Sequence, residues 1–299
     1  MCGIVGLYLK NAKLQPKLGE MFEPMLCKMT SRGPDSAGFA IYRNPVKKGL
    51  VKLTLTHDGQ AFGWKALTIA LNKSLKCTGT VKVIGNHAVL VVNAKEPAVV
   101  KWLQQQYPGV RVVGSGQTIE IFKEVGAPVD VAEKFGLRAA RGTHAIGHTR
   151  MATESAVTTA GSHPFATGAD LCLVHNGSLS NHNRLRQNLQ RNGFEFKTEN
   201  DTEVAAAYFT WQLQRGNRLR QALTEGLKDL DGFYTFCIGT ADGFAVIRDS
   251  IACKHAVLAE TDSWVAMATE YRAIAHLPGA DKAKIWEPAP QTIYTWGNA

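Results

Sequence analysis

The chain has 299 residues, 45% hydrophobic and 20% charged, a balance that allows a sizeable core and excludes a fibrous or largely disordered protein. No apolar stretch reaches the roughly 20 residues of a membrane-spanning helix, and Met1-Cys2-Gly3-Ile4-Val5-Gly6 lacks the basic leader of a signal peptide, so a cytoplasmic protein without membrane partners is expected. The net charge of +9 is spread along the chain, with no basic run longer than Lys47-Lys48, which argues against nucleic acid and for a basic surface facing an acidic partner subunit.

Cys2 to Leu9 reads as a short buried strand, and Met21, Phe22, Met25, Leu26 and Met29 give helical spacing from Leu18 to Thr30. A turn over Ser31–Ser36 leads to strands at Ala37–Arg43 and Val51–Thr56. Residues 59–141 form a distinct block: a helix at Trp64–Leu75, a strand at Val81–Asn93 and a helix at Glu96–Tyr107. Two short strands near Val110–Val113 and Thr118–Phe122 and a helix near Val129–Arg138 complete it. This predicts a small α+β subdomain inserted within one domain spanning 2–299. A strand at Ala145–Thr149 returns to the main body, followed by a long polar loop to Pro164. Leu171–His175 reads as a strand that ends at Asn176-Gly177, then comes a helix at Asn181–Asn192. Asp201 is the expected N-cap of a helix running to Gln214, and the remainder reads as strands from Gly232 to Trp296. Strands and helices in runs, without strict alternation, favour an α+β fold.

Six cysteines lie scattered with no C-x-x-C pair, as expected of free thiols in a reducing compartment. Cys2 alone can become the first residue of a chain. Once Met1 is removed its thiol stands beside a free α-amine, and an ordinary thiol and an ordinary α-amine titrate close together. One residue then supplies nucleophile and base, and the resulting ammonium can protonate a leaving amine. Arg150, where a strand meets a loop, can hold a carboxylate in fork geometry. An Asn-Gly pair after a strand is ordinarily a turn. Its catalytic reading is an oxyanion hole from the Asn176 amide and the Gly177 N–H. Asp201 could face a substrate ammonium. His144, His148, His163, His175 and His182 crowd one stretch, but no Cys or acidic partner stands at zinc-like spacing, so no metal site is expected.

Taken in order, Cys2-Gly-Ile-Val-Gly6, Arg32-Gly-Pro-Asp-Ser36, Gly147-His-Thr-Arg150, His163-Pro-Phe165, His175-Asn-Gly177 and Asn200-Asp-Thr-Glu203 resemble the class II glutamine amidotransferases, the N-terminal-cysteine branch of the Ntn hydrolases. The resemblance spans the chain apart from the inserted block. It implies a four-layer αββα sandwich that hydrolyses glutamine to glutamate and ammonia through a γ-glutamyl thioester. It makes Cys2 the nucleophile, Asn176 and Gly177 the oxyanion hole, and Arg150 with Thr153 the holder of the α-carboxylate. Asp201 would take the α-ammonium and Arg32 would brace the N-terminus. Met151 and Glu154 stand where members such as glucosamine-6-phosphate synthase carry Trp and His. With no phosphate loop or nucleotide fingerprint, the chain reads as a glutaminase subunit of a hetero-oligomer, delivering ammonia to a synthase-type partner. The nearest type is the glutamate synthase-related complexes, in which FMN belongs to a partner subunit and this chain needs no cofactor. Three alternatives stand beside that reading. They are a subunit of an N-methylglutamate synthase handling methylamine, an Ntn hydrolase acting on another amide, and a catalytically silent structural subunit.

Overall fold

A computed structural model describes residues 2–57, 62–152 and 157–298 of the chain. The strand Gly3–Leu9 lies inside a seven-stranded antiparallel sheet. Across that sheet the strands are Lys284–Trp286, Val257–Glu260, Trp264–Ala268, Gly3–Leu9, His144–Arg150, Ser36–Tyr42 and Ile119–Val125. A second antiparallel sheet runs Ile293–Gly297, Gly243–Arg248, Gly232–Thr240, Leu171–Leu179 and Phe165–Gly168.

Side-chain alternation assigns each strand's two faces. Along the N-terminal strand Ile4 and Tyr8 pack between the sheets with Cys172, Val174, Cys237, Phe244 and Met267. Val5, Leu7 and Leu9 point the other way, under the helices Leu18–Cys27 and Pro128–Lys134. A strand buried on both faces must be apolar throughout, which explains the unbroken run at the chain start. The second sheet is covered on its outer face by the helices His182–Arg191, Asp201–Gln214 and Leu219–Asp229, with Val204, Tyr208, Phe209 and Leu223 in that core. The layers are therefore helix, sheet, sheet, helix, the predicted αββα arrangement.

The inserted subdomain has different bounds from those expected. Its sheet is Gly79–Ile84, His87–Val92, Val51–His57 and Val110–Gly116, so it spans 51–116 rather than 59–141. The expected strand Val81–Asn93 is a hairpin turning at Gly85-Asn86. With helices Trp64–Leu75 and Glu96–Gln106 the order is β-α-β-β-α-β, a ferredoxin-like unit. Leu53, Leu55 and Leu90 meet Leu67, Leu71, Val99 and Trp102 in a core of its own. Residues 117–141 belong to the main body: Ile119–Val125 pairs with Ser36–Tyr42, and Pro128–Lys134 covers the first sheet. The helix Leu219–Asp229 had no counterpart in the sequence reading. Among the described residues no helix is long and apolar enough to cross a membrane.

Candidate active site

Of the sequence-predicted residues, Cys2, Arg150 and Asn176 lie at one mouth of the gap between the sheets. Gly3 pairs with Thr149, and the same register continued by one residue sets Cys2 opposite Arg150. Partners in an antiparallel pair share a face. Ile146 packs between the sheets, so His148 and Arg150, two and four residues on, also face the gap. Val174 packs there too, so Asn176 points into the same gap from the opposite sheet. Asn176 and Arg150 are both buried, whereas Cys2 is half-buried and reachable. A hydrogen bond from His148 Nε2 to the His175 carbonyl, 3.0 Å, ties the two strands across the gap one residue short of Asn176.

The N-terminal strand is held tightly just behind Cys2. A Cβ on Gly3 would lie 2.8 Å from both Met29 Cβ and Thr149 Oγ1, so glycine is what lets the strand approach. Ile4 N–H donates to Thr269 Oγ1 at 2.9 Å, and Thr269 N–H donates back to the Ile4 carbonyl at 2.9 Å. Arg32 Nη1 pairs with Glu270 Oε1 at 3.2 Å, beside Thr269. Through Glu270 and Thr269, Arg32 is linked to the strand that begins just after Cys2. The Arg32–Ser36 turn also supports Arg150, because Asp35 N–H donates to the Arg150 carbonyl and Asp35 Oδ2 accepts from Ala152 N–H at 2.8 Å.

Asn176-Gly177 is not a turn. The strand Leu171–Leu179 runs through it, with Asn176 opposite Thr235 and Gly177 opposite Tyr234. Gly177 has φ +145°, and a Cβ there would come within 2.0 Å of the Phe233 carbonyl oxygen. Both the conformation and the space demand glycine. Asp201 is the first residue of its helix, and the N-cap is Asn200, whose side chain accepts from Thr202 N–H at 2.8 Å. This frees the Asp201 carboxylate for other work. Its Oδ2 accepts from Leu179 N–H at 2.9 Å and its Oδ1 stands 3.5 Å from His175 Nδ1. Burial alone would raise its pKa, but His175 and the Leu179 N–H outweigh that and hold it down at about 2.

Sequence reading weighed the histidines only as metal ligands; three of them build a hydrogen-bonded wall instead. His148 and His163 stack with ring centroids 3.8 Å apart. His163 Nε2 and His175 Nδ1 both meet Thr202 Oγ1, at 2.7 and 3.1 Å. Burial drives His148 down to about 3 and His163 well below its ordinary value, so both rings are neutral. Because His148 Nε2 donates to a carbonyl, its proton must sit on that nitrogen. Among the described residues no group of three His, Cys, Asp or Glu is placed to hold a metal ion.

The segment before His163 is fastened from behind. Lys123 Nζ donates to the carbonyls of Ala160, Ser162 and Pro164 at 3.1, 2.7 and 3.3 Å. Its burial lowers it to about 7, but three acceptors offset much of the cost of an interior ammonium. Arg150 Nη1 reaches the Gly161 carbonyl at 3.5 Å. Thr153 and Glu154 lie outside the described residues, and Met151 at the loop's start is 39% exposed.

With this geometry in place, known proteins provide a frame. A family described as a glutamine amidotransferase domain matches residues 148–276. The glutamine amidotransferase-like protein GlxB of Rhizobium meliloti is 53% identical over 297 residues, covering 99% of this chain and 98% of that protein. The chain belongs to the class II glutamine amidotransferase family. A protein of Methanothermobacter thermautotrophicus is 30% identical over 304 residues, covering 98% of this chain and 99% of its own length. The glutamine phosphoribosylpyrophosphate amidotransferase of B. subtilis has the same fold, with a TM-score of 0.63 at 19% identity. That likeness covers 99% of this chain and 47% of the larger one. This amidotransferase therefore has the Ntn sandwich with a ferredoxin-like unit set into it. Thr202, Lys123, Thr269 and Glu270 are site-building residues that sequence reading did not single out, and His148 and His163 it weighed only as metal ligands. A signal for three of these six was present: His148, His163 and Thr202 fall inside the motifs Gly147-His-Thr-Arg150, His163-Pro-Phe165 and Asn200-Asp-Thr-Glu203.

Proposed function

We propose that this amidotransferase hydrolyses the side-chain amide of glutamine, with Cys2 as nucleophile after removal of Met1. The observation that carries the reading is the convergence of Cys2, Arg150 and Asn176 on one mouth of the inter-sheet gap. The Cys2 α-amine takes the thiol proton, and Sγ attacks the amide carbon. The oxyanion forms in front of the Asn176 amide and the Gly177 N–H. On collapse the C–N bond breaks, the ammonium returns its proton to the leaving nitrogen, and ammonia departs from a γ-glutamyl thioester. Water, deprotonated by the same amine, then attacks the thioester to give glutamate and the free thiol. Arg150 holds the α-carboxylate, with Thr153 assisting, and the ionised Asp201 holds the α-ammonium.

Two substitutions divide these roles. Asn176→Ala is expected to lower kcat by about 10²–10³-fold with little change in KM, because an oxyanion donor acts on the transition state. Arg150→Lys is expected to raise KM by roughly tenfold or more and to spare kcat, since a lysine cannot form the two-pronged contact. Steady-state glutaminase assays read both. An Asn176→Ala enzyme of normal kcat would remove the oxyanion assignment.

Free ammonia protonates in water, so a partner that consumes it in a shielded site fits this chemistry. The proposed partner is a synthase-type subunit of the glutamate synthase kind, which would carry any FMN. Purification of the complex from its native source, followed by identification of the co-eluting subunits, tests that reading. Recovery of an active chain that is always alone counts against it.

A further inference from the structure

A second pocket lies at the far end of the strand His144–Arg150 from Arg150, roughly 20 Å away at about 3.3 Å per residue. It encloses about 450 Å³, within the usual range for small-molecule sites of about 300–1,000 Å³. Gln15, Arg43, Asn44, Lys52 and Arg141 line it. Arg43-Asn44 is where the chain leaves the main sheet for the ferredoxin-like unit, Lys52 belongs to that unit, and Arg141 precedes the return strand.

The charge there is unbalanced. Arg43 Nε and Lys52 Nζ share one carboxylate, Glu120, at 2.7 and 3.0 Å. Lys52 is 4% exposed, so its ammonium has little access to water. Arg43 also donates from Nη1 to the backbone carbonyl of Arg141 at 3.0 Å, and Arg141 lines the same pocket. Among the described residues the Arg141 guanidinium has no carboxylate partner. The pocket lining thus holds three cationic residues and no carboxylate, with Glu120 paired to two of them, and an anion bound there would offset their mutual repulsion. The arginine donors are the sort that fork onto phosphate or carboxylate oxygens, and Gln15 and Asn44 also line the pocket.

We propose that this pocket binds a small, multiply charged oxyanion, the phosphate group or paired carboxylates of a metabolite. Such a ligand bridges Lys52 of the ferredoxin-like unit to Arg43 and Arg141 of the sandwich, so its binding fixes one against the other. The site is separate from the glutamine site and does not rest on the role of Cys2.

Titration calorimetry of the full chain with inorganic phosphate, and separately with citrate, at low ionic strength tests the proposal. Saturable one-to-one binding is expected for at least one of them. Saturation by phosphate alone identifies a phosphate-bearing ligand, and saturation by citrate alone identifies a polycarboxylate. Arg141→Gln is expected to weaken binding by roughly tenfold or more, since a charge-assisted contact is lost. Arg138→Gln, at a residue whose side chain is 73% exposed, should bind as the parent does. Arg141 is itself exposed, so its replacement should keep the thermal midpoint, which verifies folding. No saturable binding of either anion, or equal affinity in Arg141→Gln, overturns the site.

Discussion

Replacing Cys2 by Ala is expected to lower glutamine turnover by about 10⁴-fold or more while the thermal midpoint stays near that of the parent. The two halves of this result have different causes. Turnover falls because no other side chain takes the place of the thiol. Of the remaining cysteines, Cys172 and Cys237 are buried between the sheets, where desolvation drives both thiols far toward the protonated form. Stability survives because Cys2 precedes the paired strand. The register Gly3 to Thr149 and the two hydrogen bonds between Ile4 and Thr269 involve no atom of the Cys2 side chain. Cys2→Ser should be nearly as damaging, since a hydroxyl gives up its proton far less readily than a thiol. Ammonia release measured with glutamine in excess reads the activity. Intact mass confirms that Met1 is absent from each protein compared. Ordinary turnover in Cys2→Ala would falsify the nucleophile assignment and move attention to a silent, structural role.

Much of this fold was legible because its central strands obey simple patterning. A strand buried on both sides has no polar alternation to hide behind, and Gly3–Leu9 shows this plainly. What stayed hidden depends on pairing between distant segments. Asn176-Gly177 looks like a turn to any local rule, yet Tyr234 and Thr235 pair with it and carry the strand on to Leu179. The insertion was drawn too far toward the C-terminus because Ile119–Val125 looks like any short strand. Only its ladder with Ser36–Tyr42 shows which sheet claims it. Gly85-Asn86 was passed over because apolar residues flank it on both sides, which reads as one long strand. Helix Leu219–Asp229 lays Leu219, Ala222, Leu223, Gly226 and Leu227 against the core at helical spacing, a signal the sequence does carry. In the site, Cys2, Arg150 and Asn176 were visible as motif residues. Asp201 was given the cap that Asn200 makes, and the histidines needed their neighbours before their purpose could be read.

Those histidines set the second large expectation: the folded chain should lose stability steeply as pH falls below about 6.5. His87, His144 and His148 are fully buried, and desolvation lowers each to about 3; His163 lies well below its ordinary value for the same reason. In the unfolded chain each titrates near 6.5. Between about 6.5 and 3 the unfolded state therefore binds protons that the folded state refuses. The stabilisation is fully present above 6.5 and drains away as pH drops. At pH 5 the loss is about 2 kcal/mol for each of His87, His144 and His148, or ~6 kcal/mol for the three, comparable to the whole stability of many domains, and His163 acts in the same direction. Asp201 adds a smaller loss only in stronger acid, between its ordinary 3.8 and about 2. Denaturant unfolding at pH 8, 6.5 and 5 should show a plateau and then a fall. His163→Gln keeps an amide that can donate to or accept from Thr202 but removes a titrating ring, so its slope near pH 5 should be shallower by about one proton. A flat profile from pH 7 to 5 would mean that the folded chain accepts those protons. Since His148 grips the His175 carbonyl beside Asn176, glutaminase activity should fail in acid no later than the fold does.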